Sequence, residues 1–175
     1  MSDRAAGAHA LVEPDDALVR GLGDFARRYL GDRTTVVRGY VNRVSKPACP
    51  DYVLITPLGA KRLATNLHGW DADKSALEVT MPTQRRVQMD FYGRDADRQA
   101  LTAAALLRDA VGCDFLQPYG IAPLYVTDPQ DLSRPDDREQ WDHRWMIDVM
   151  LQVNARSAVD QDYFTDLNLS LHPQA

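Results

Sequence analysis

The chain has 175 residues, 45% of them hydrophobic and 26% charged, with a formal net charge of -5. That length suits one domain with a real core, and the composition excludes collagen-like, repetitive and wholly disordered classes. A net acidic chain does not favour non-specific phosphate binding, although a weakly acidic pore wall would let DNA slide past without sticking. The two cysteines, Cys49 and Cys113, stand in short irregular stretches and are read as free thiols. No apolar run nears the ~20 residues needed to span a bilayer, and residues 1–10 lack the apolar core of a signal peptide. The expected location is the cytoplasm, with no membrane contact.

Residues 1–13 are small and polar and read as a flexible N-terminal tail, which leaves 14–173 as a single domain. Pro14-Asp15-Asp16 begins a helix, with acidic side chains near the positive end of its dipole. Leu18, Leu22, Phe25 and Tyr29 follow at helical spacing, and Gly31 ends the helix. Gly21 and Gly23 each weaken it by roughly 1 kcal/mol, so it depends on packing.

From residue 34 the pattern becomes strand-like: Thr34 to Val41 is rich in β-branched residues, and Tyr52 to Leu58 is apolar on both faces. Pro57 is expected to end regular pairing there. A polar stretch over 59–75 leads to a strand at 76–81, then Pro82, then a second at 84–92. In the latter, Val87, Met89 and Phe91 alternate with Arg86, Gln88 and Asp90. Asp95 is placed to cap a second helix with Ala100, Ala103, Ala104, Leu107 and Val111 on one stripe, stopped by Gly112. Residues 112–140 read mostly as connection, with a short apolar piece at 121–126.

Residues 141–154 then alternate without a break. Trp141, His143, Trp145, Ile147, Val149, Leu151 and Val153 share one face, and Asp142, Arg144, Met146, Asp148, Met150, Gln152 and Asn154 the other. At about 3.3 Å per residue this strand would run ~45 Å, long enough to overhang a small domain and to need partners for the overhang. A turn or short helix at 155–162 precedes a last strand with Leu167, Leu169 and Leu171 alternating. The elements add up to an α+β, two-layer fold: a mostly antiparallel mixed sheet of five to six strands with two main flanking helices.

Reactive groups do not assemble. Of the four histidines, His143 with Asp148 is the best candidate metal pair, but an odd step along a strand puts them on opposite faces. His143 reads instead as a half-buried histidine between tryptophans. The paired aspartates at 15–16, 71/73, 95/97 and 136–137 sit at turns and helix starts. No G-x-S-x-G, P-loop or dinucleotide fingerprint is present. Trp141 and Trp145 could stack bases, yet the apolar residues continuing their face favour packing. No catalytic residue, metal site or cofactor is expected.

Several phrases, in order, resemble the neck-terminator proteins of tailed bacteriophages: Tyr52 to Leu58 with Lys61 to Asn66, Gln88 to Gly93, Leu106 to Asp109, Pro123-Leu124-Tyr125, Arg144-Trp145 running to Asn154, and Asp162-Tyr163-Phe164. The resemblance covers roughly residues 15–172. It implies a tail-terminator-like fold without catalytic residues, assembled as a ring, usually a hexamer. Such a ring in the virion neck caps the tail tube, ends its polymerisation and docks to the head connector. The implied partners are further copies of the chain, the tail tube protein, head-completion, connector or collar proteins, and a sheath protein if the tail is contractile. DNA would pass only through the lumen. The residues expected near subunit or tube contacts are Arg86, Gln88, Asp90, Asp142, Arg144, Asp148 and Gln152. Two rival readings are a head-completion or adaptor ring on the portal, and a small metal-dependent hydrolase using Asp90, His143 and Asp148.

Overall fold

The structure is a computed structural model that describes residues 8–10, 14–40, 47, 49–73, 75–135 and 141–160. Strand β1 (Ala8–Ala10) lies inside the stretch read as a tail and precedes helix α1 (Pro14–Leu30). α1 starts and stops where its sequence signals it: Pro14 in the first turn, Asp15 and Asp16 beside it, and Gly31 at φ 144° just after Leu30. Ion pairs from Arg85 to Asp15 and from Arg38 to Asp16 tie its first turn to two strands. Its two internal glycines serve contact. A Cβ on Gly21 would lie 3.2 Å from Ile121 Cδ1 and from the Tyr119 ring, and one on Gly23 would lie 3.3 Å from Val36.

Strand β2 (Thr35–Arg38) runs parallel to β3 (Tyr52–Arg62), and β4 (Leu67–Asp71) leads into the 17-residue β5 (Ala76–Tyr92). The stretch expected as polar connection, 59–75, is therefore largely strand. Pro57 does disturb the ladder, because the β3–β5 register shifts between Pro57 and Gly59, but β3 continues to Arg62 beyond this bulge. Pro82 does not divide β5 as the sequence suggested. Its carbonyl accepts from Leu63 N on the side where β3 stops, opposite Thr83, and β4 starts, opposite Thr80. A missing N–H is tolerated at that handover because neither β3 nor β4 pairs with Pro82 on that flank, while β10 pairs with it through Asn154 on the other.

Helix α2 (Ala96–Leu107) is followed by α3 (Ala110–Leu116), a 3-10 turn at Gln117–Tyr119, and β6 (Ile121–Val126). Two expectations fail here. The Asp95 side chain makes no cap hydrogen bond and pairs with Arg98 at 3.2 Å instead, whereas Asp109 caps α3 by accepting from Val111 N. Gly112 lies within α3 rather than ending α2. A Cβ there would sit 2.7 Å from Leu106 O and 2.8 Å from Leu107 Cα, so the glycine lets the two helices meet. The supposed connection 112–140 thus carries a helix, β6, β7 (Gln130–Asp131) and β8 (Arg134–Pro135).

The long strand forms, with shifted ends. β9 (Trp141–Asp142) pairs with β8 in a separate ribbon, His143 breaks the run, and β10 extends from Arg144 to Asp160. The turn or helix expected at 155–162 is strand as far as Asp160, because Ala155 to Asp160 pair with Met81 to Ala76 of β5. At about 3.3 Å per residue β10 spans roughly 55 Å. The last strand expected around Leu167 to Leu171 falls outside the described residues.

The eight-stranded sheet has the order β1-β10-β5-β3-β2, with β4 also on β5, and β6 and β7 also on β10. Apart from the β2–β3 pair, its ladders are antiparallel. The three described α-helices pack on one face, where Leu18, Leu22 and Phe25 of α1, Ala100, Ala103 and Leu107 of α2 and Leu116 of α3 meet Val53, Ile55, Val87, Met89, Phe91, Ile147, Val149 and Leu151. The alanines of α2 hold that axis close to the sheet, as their small size implies. The α+β class holds, with one more helix and several more short strands than expected.

Gly39 is the tightest place at the end of β2. Its N donates to Ile55 O at 2.8 Å, and a Cβ would meet Thr56 Oγ1 at 2.1 Å and Thr56 Cβ and Cγ2 at 2.9 Å. Because the Thr56 Cβ cannot rotate away, Gly39→Ala is expected to destabilise by about 1–3 kcal/mol. Thermal unfolding should then shift down by roughly 2–10 °C. An unchanged midpoint would show that the loop yields freely.

Candidate interaction surface

The sheet face opposite the helices carries no described helix. The registers set its side chains in rows across β10, β5 and β3: Arg144–Tyr92–Tyr52, Met146–Asp90–Leu54, Asp148–Gln88–Thr56, Met150–Arg86–Gly59 and Gln152–Gln84–Lys61. Six of the seven residues singled out in the sequence (Arg86, Gln88, Asp90, Arg144, Asp148 and Gln152) therefore share this surface. Asp142 does not continue the row, because the chain breaks at His143 and Asp142 belongs to β9. It remains close enough to Tyr52 and Tyr92 for its charge to act on both.

These residues do not simply point into water. Asp90 is only 1% exposed and Asp148 6%. Burying a carboxylate is expensive unless it is paired and hydrogen-bonded. Arg144 supplies both at Asp90, donating from Nε at 3.0 Å and Nη2 at 2.9 Å to one oxygen, while Gln88 Nε2 donates to both oxygens at 3.0 and 2.8 Å. Arg86 Nη2 donates to Asp148 Oδ2 at 2.6 Å. The carboxylates lie inside and the guanidiniums outside, with the Arg86 side chain 53% exposed. Burial alone would disfavour charge on Arg144, but the hydrogen bond and charge of Asp90 outweigh it and raise its pKa. The hydrogen bond to Asp148, then its charge, does the same for Arg86.

Two aromatics that sequence reading passed over complete the surface. Tyr52 and Tyr92, directly opposed across β3 and β5, stack at 4.4 Å with their planes 12° apart, and the Arg144 guanidinium lies 5.7 Å from the Tyr92 ring centre. Only the pairing register brings them together, so the sequence carried no signal for it. Lower on the same face, Gly59, Ala60, Lys61, Gln84, Arg86 and Met150 line an open basin of about 350 Å³. At the far edge Gln152 donates to Asn154 at 3.1 Å.

The residues of the hydrolase reading are not brought together as a site. Asp90 and Asp148 are each held by a different arginine, and His143 is exposed rather than half-buried, facing Asp131, whose carboxyl is lowered mainly by its hydrogen bonds from Ser133. Among the described residues no three His, Cys, Asp or Glu converge as a metal site. Cys49 and Cys113 are free and exposed. No helix among the described residues is long and apolar enough to cross a membrane.

A helix-backed sheet with one broad, internally ion-paired face has the build of a structural protein. The phage neck terminator protein family matches residues 16–173, nearly the whole chain, and the chain belongs to that family. It is a structural protein of the bacteriophage neck. No curated protein matches it.

Two outcomes test the surface. Arg144→Ala leaves Asp90 buried without its cation and should destabilise by about 3–5 kcal/mol; chemical denaturation giving less than about 1 kcal/mol would show that water replaces the guanidinium. Burial, then the Tyr92 charge, pushes the Tyr52 hydroxyl from 10.0 to about 12. A raised acid pKa favours the folded state below pH 10 and is lost as pH climbs towards 12. Stability should therefore fall across that window, and Tyr52→Phe should flatten the fall; equal slopes would remove Tyr52 as its source.

Proposed function

We propose that this neck protein acts without catalysis, as a ring of identical subunits in the virion at the head–tail junction. The ring caps the tail tube, ends its polymerisation and offers its other side to the head connector. Its partners are other copies of the chain, the tail tube protein and head-completion or collar proteins, with DNA only passing through the lumen. The observation that carries this reading, beside family membership, is the sheet face over which no described helix lies. Its charged groups are held in place before any partner arrives, so docking there sacrifices little side-chain freedom. The ion pairs also cancel most of its charge, which suits protein contact better than a grip on phosphate. Arg86, Gln88, Asp90, Arg144, Asp148 and Gln152 belong to the subunit or tube contacts, with Asp142 at the margin.

Charge reversal at Arg144 would confuse docking with folding, because Asp90 lies beneath it. Gln152, at the margin of the face, is the better probe. Gln152→Lys should keep the melting temperature within about 2 °C while reducing co-sedimentation with isolated tail tubes by about tenfold. Wild-type protein that sediments with emptied heads and ignores tails would replace this reading with the head-side adaptor.

A further inference from the structure

The face that the helices cover does not end where the helices end. In the covered part, Val87, Met89, Phe91, Ile147, Val149 and Leu151 are fully buried. The same face continues up β5 and β10 through Met81, Val79 and Leu77 and through Ala155, Ser157 and Val159, and the registers add Trp70 of β4 beside Leu77. No described helix lies over this projecting arm. Trp70 is 45% exposed and Met81 39%. An apolar sheet face of this kind needs a cover.

The opposite margin of the sheet offers one. Among the described residues β6 pairs with β10 alone and no strand lies on its outer edge, and the register shift at Met150/Leu151 turns Leu124 out of line. Leu124 is 47% exposed and its neighbour Tyr125 59%. Charge is complementary as well. Exposed Arg62, opposite Thr83 at the foot of the arm and on its apolar side, makes no ion pair among the described residues, while exposed Asp114, likewise unpaired among them, lines a groove of about 510 Å³ beside β6 with Gly120, Ile121 and Ala122.

We infer that the apolar face of the arm docks on the β6 edge of a second copy, with Trp70, Leu77 and Met81 against Leu124 and Tyr125, and Arg62 towards Asp114. This rests on the self-assembly part of the proposed function and names its contact. Two different surfaces of one chain meet head to tail, which is the arrangement that generates rings rather than two-fold dimers.

Cross-linking and charge exchange test it. In a Cys49→Ser, Cys113→Ser background, mixing the Trp70→Cys chain with the Tyr125→Cys chain should give disulfide-linked pairs, and neither alone should. Light scattering of the otherwise native chain should show an assembly larger than the 19.6 kDa monomer. Arg62→Glu should weaken that assembly by about tenfold, and adding Asp114→Lys should restore it. Self-cross-linked Trp70→Cys, a wild type that stays monomeric, or no rescue by Asp114→Lys would each overturn the inference. If instead the mixture cross-links and rescue succeeds while the rings bind neither tails nor heads, the contact stands and the capping role falls.

Discussion

Seventeen residues of β5 face seventeen of β10 in one unbroken antiparallel register, from Tyr92 opposite Arg144 to Ala76 opposite Asp160. Almost everything else is hung on this pair. Its outer flanks are served by short strands in succession, β7, β6 and β1 along β10, and β3 then β4 along β5. Because side chains alternate with a period of two, a one-residue slip would carry Ile147, Val149 and Leu151 to the open face and bring Asp148 under the helices. The hydrophobic face therefore locks the register, and the register decides which polar groups become neighbours.

The open face shows what that locking does for chemistry. Asp90 and Gln88 stand two apart on β5, Arg144 comes from β10, and the three meet only because Met146 is paired with Asp90. With both carboxylates nearly buried, each arginine is fixed by the charge beneath it. This layering gives a member of the phage neck terminator family, with no metal-binding cluster among its described residues, a stiff, patterned surface.

Length separates the two ends of the molecule. Below Thr83 and Val153 the ladder has helices on one side and a core between. Above them the same strands continue as an arm with no described helix over it, and Trp70 and Met81 are partly exposed. The arm explains how one small chain can have both a well-packed body and apolar surface left for contact. It is the structural form of the overhang that the alternating residues of the long strand required.

The amphipathic first helix, the alternating stretch 84–92 and most of the long strand were legible in the sequence because each is a periodic signal that local geometry alone produces. So was the division of the strand residues between an apolar and a polar face, and so was the family resemblance, through phrases such as Gln88 to Gly93. What was not legible depended on partners distant in the chain. Pro82 is harmless only because β3 hands over to β4 beside it, and Gly112 lies inside a helix because α2 must pass close by. Ala155 to Asp160 lack alternation and are strand because β5 pairs with all of them and β1 flanks Ser157 to Val159 on the other side. The sequence by itself determined the elements with a period and the poverty of reactive groups; the tertiary structure decided where strands end, which charges are buried and which tyrosines stack, since hydrogen-bond ladders and desolvation are set by neighbours rather than by the residues themselves.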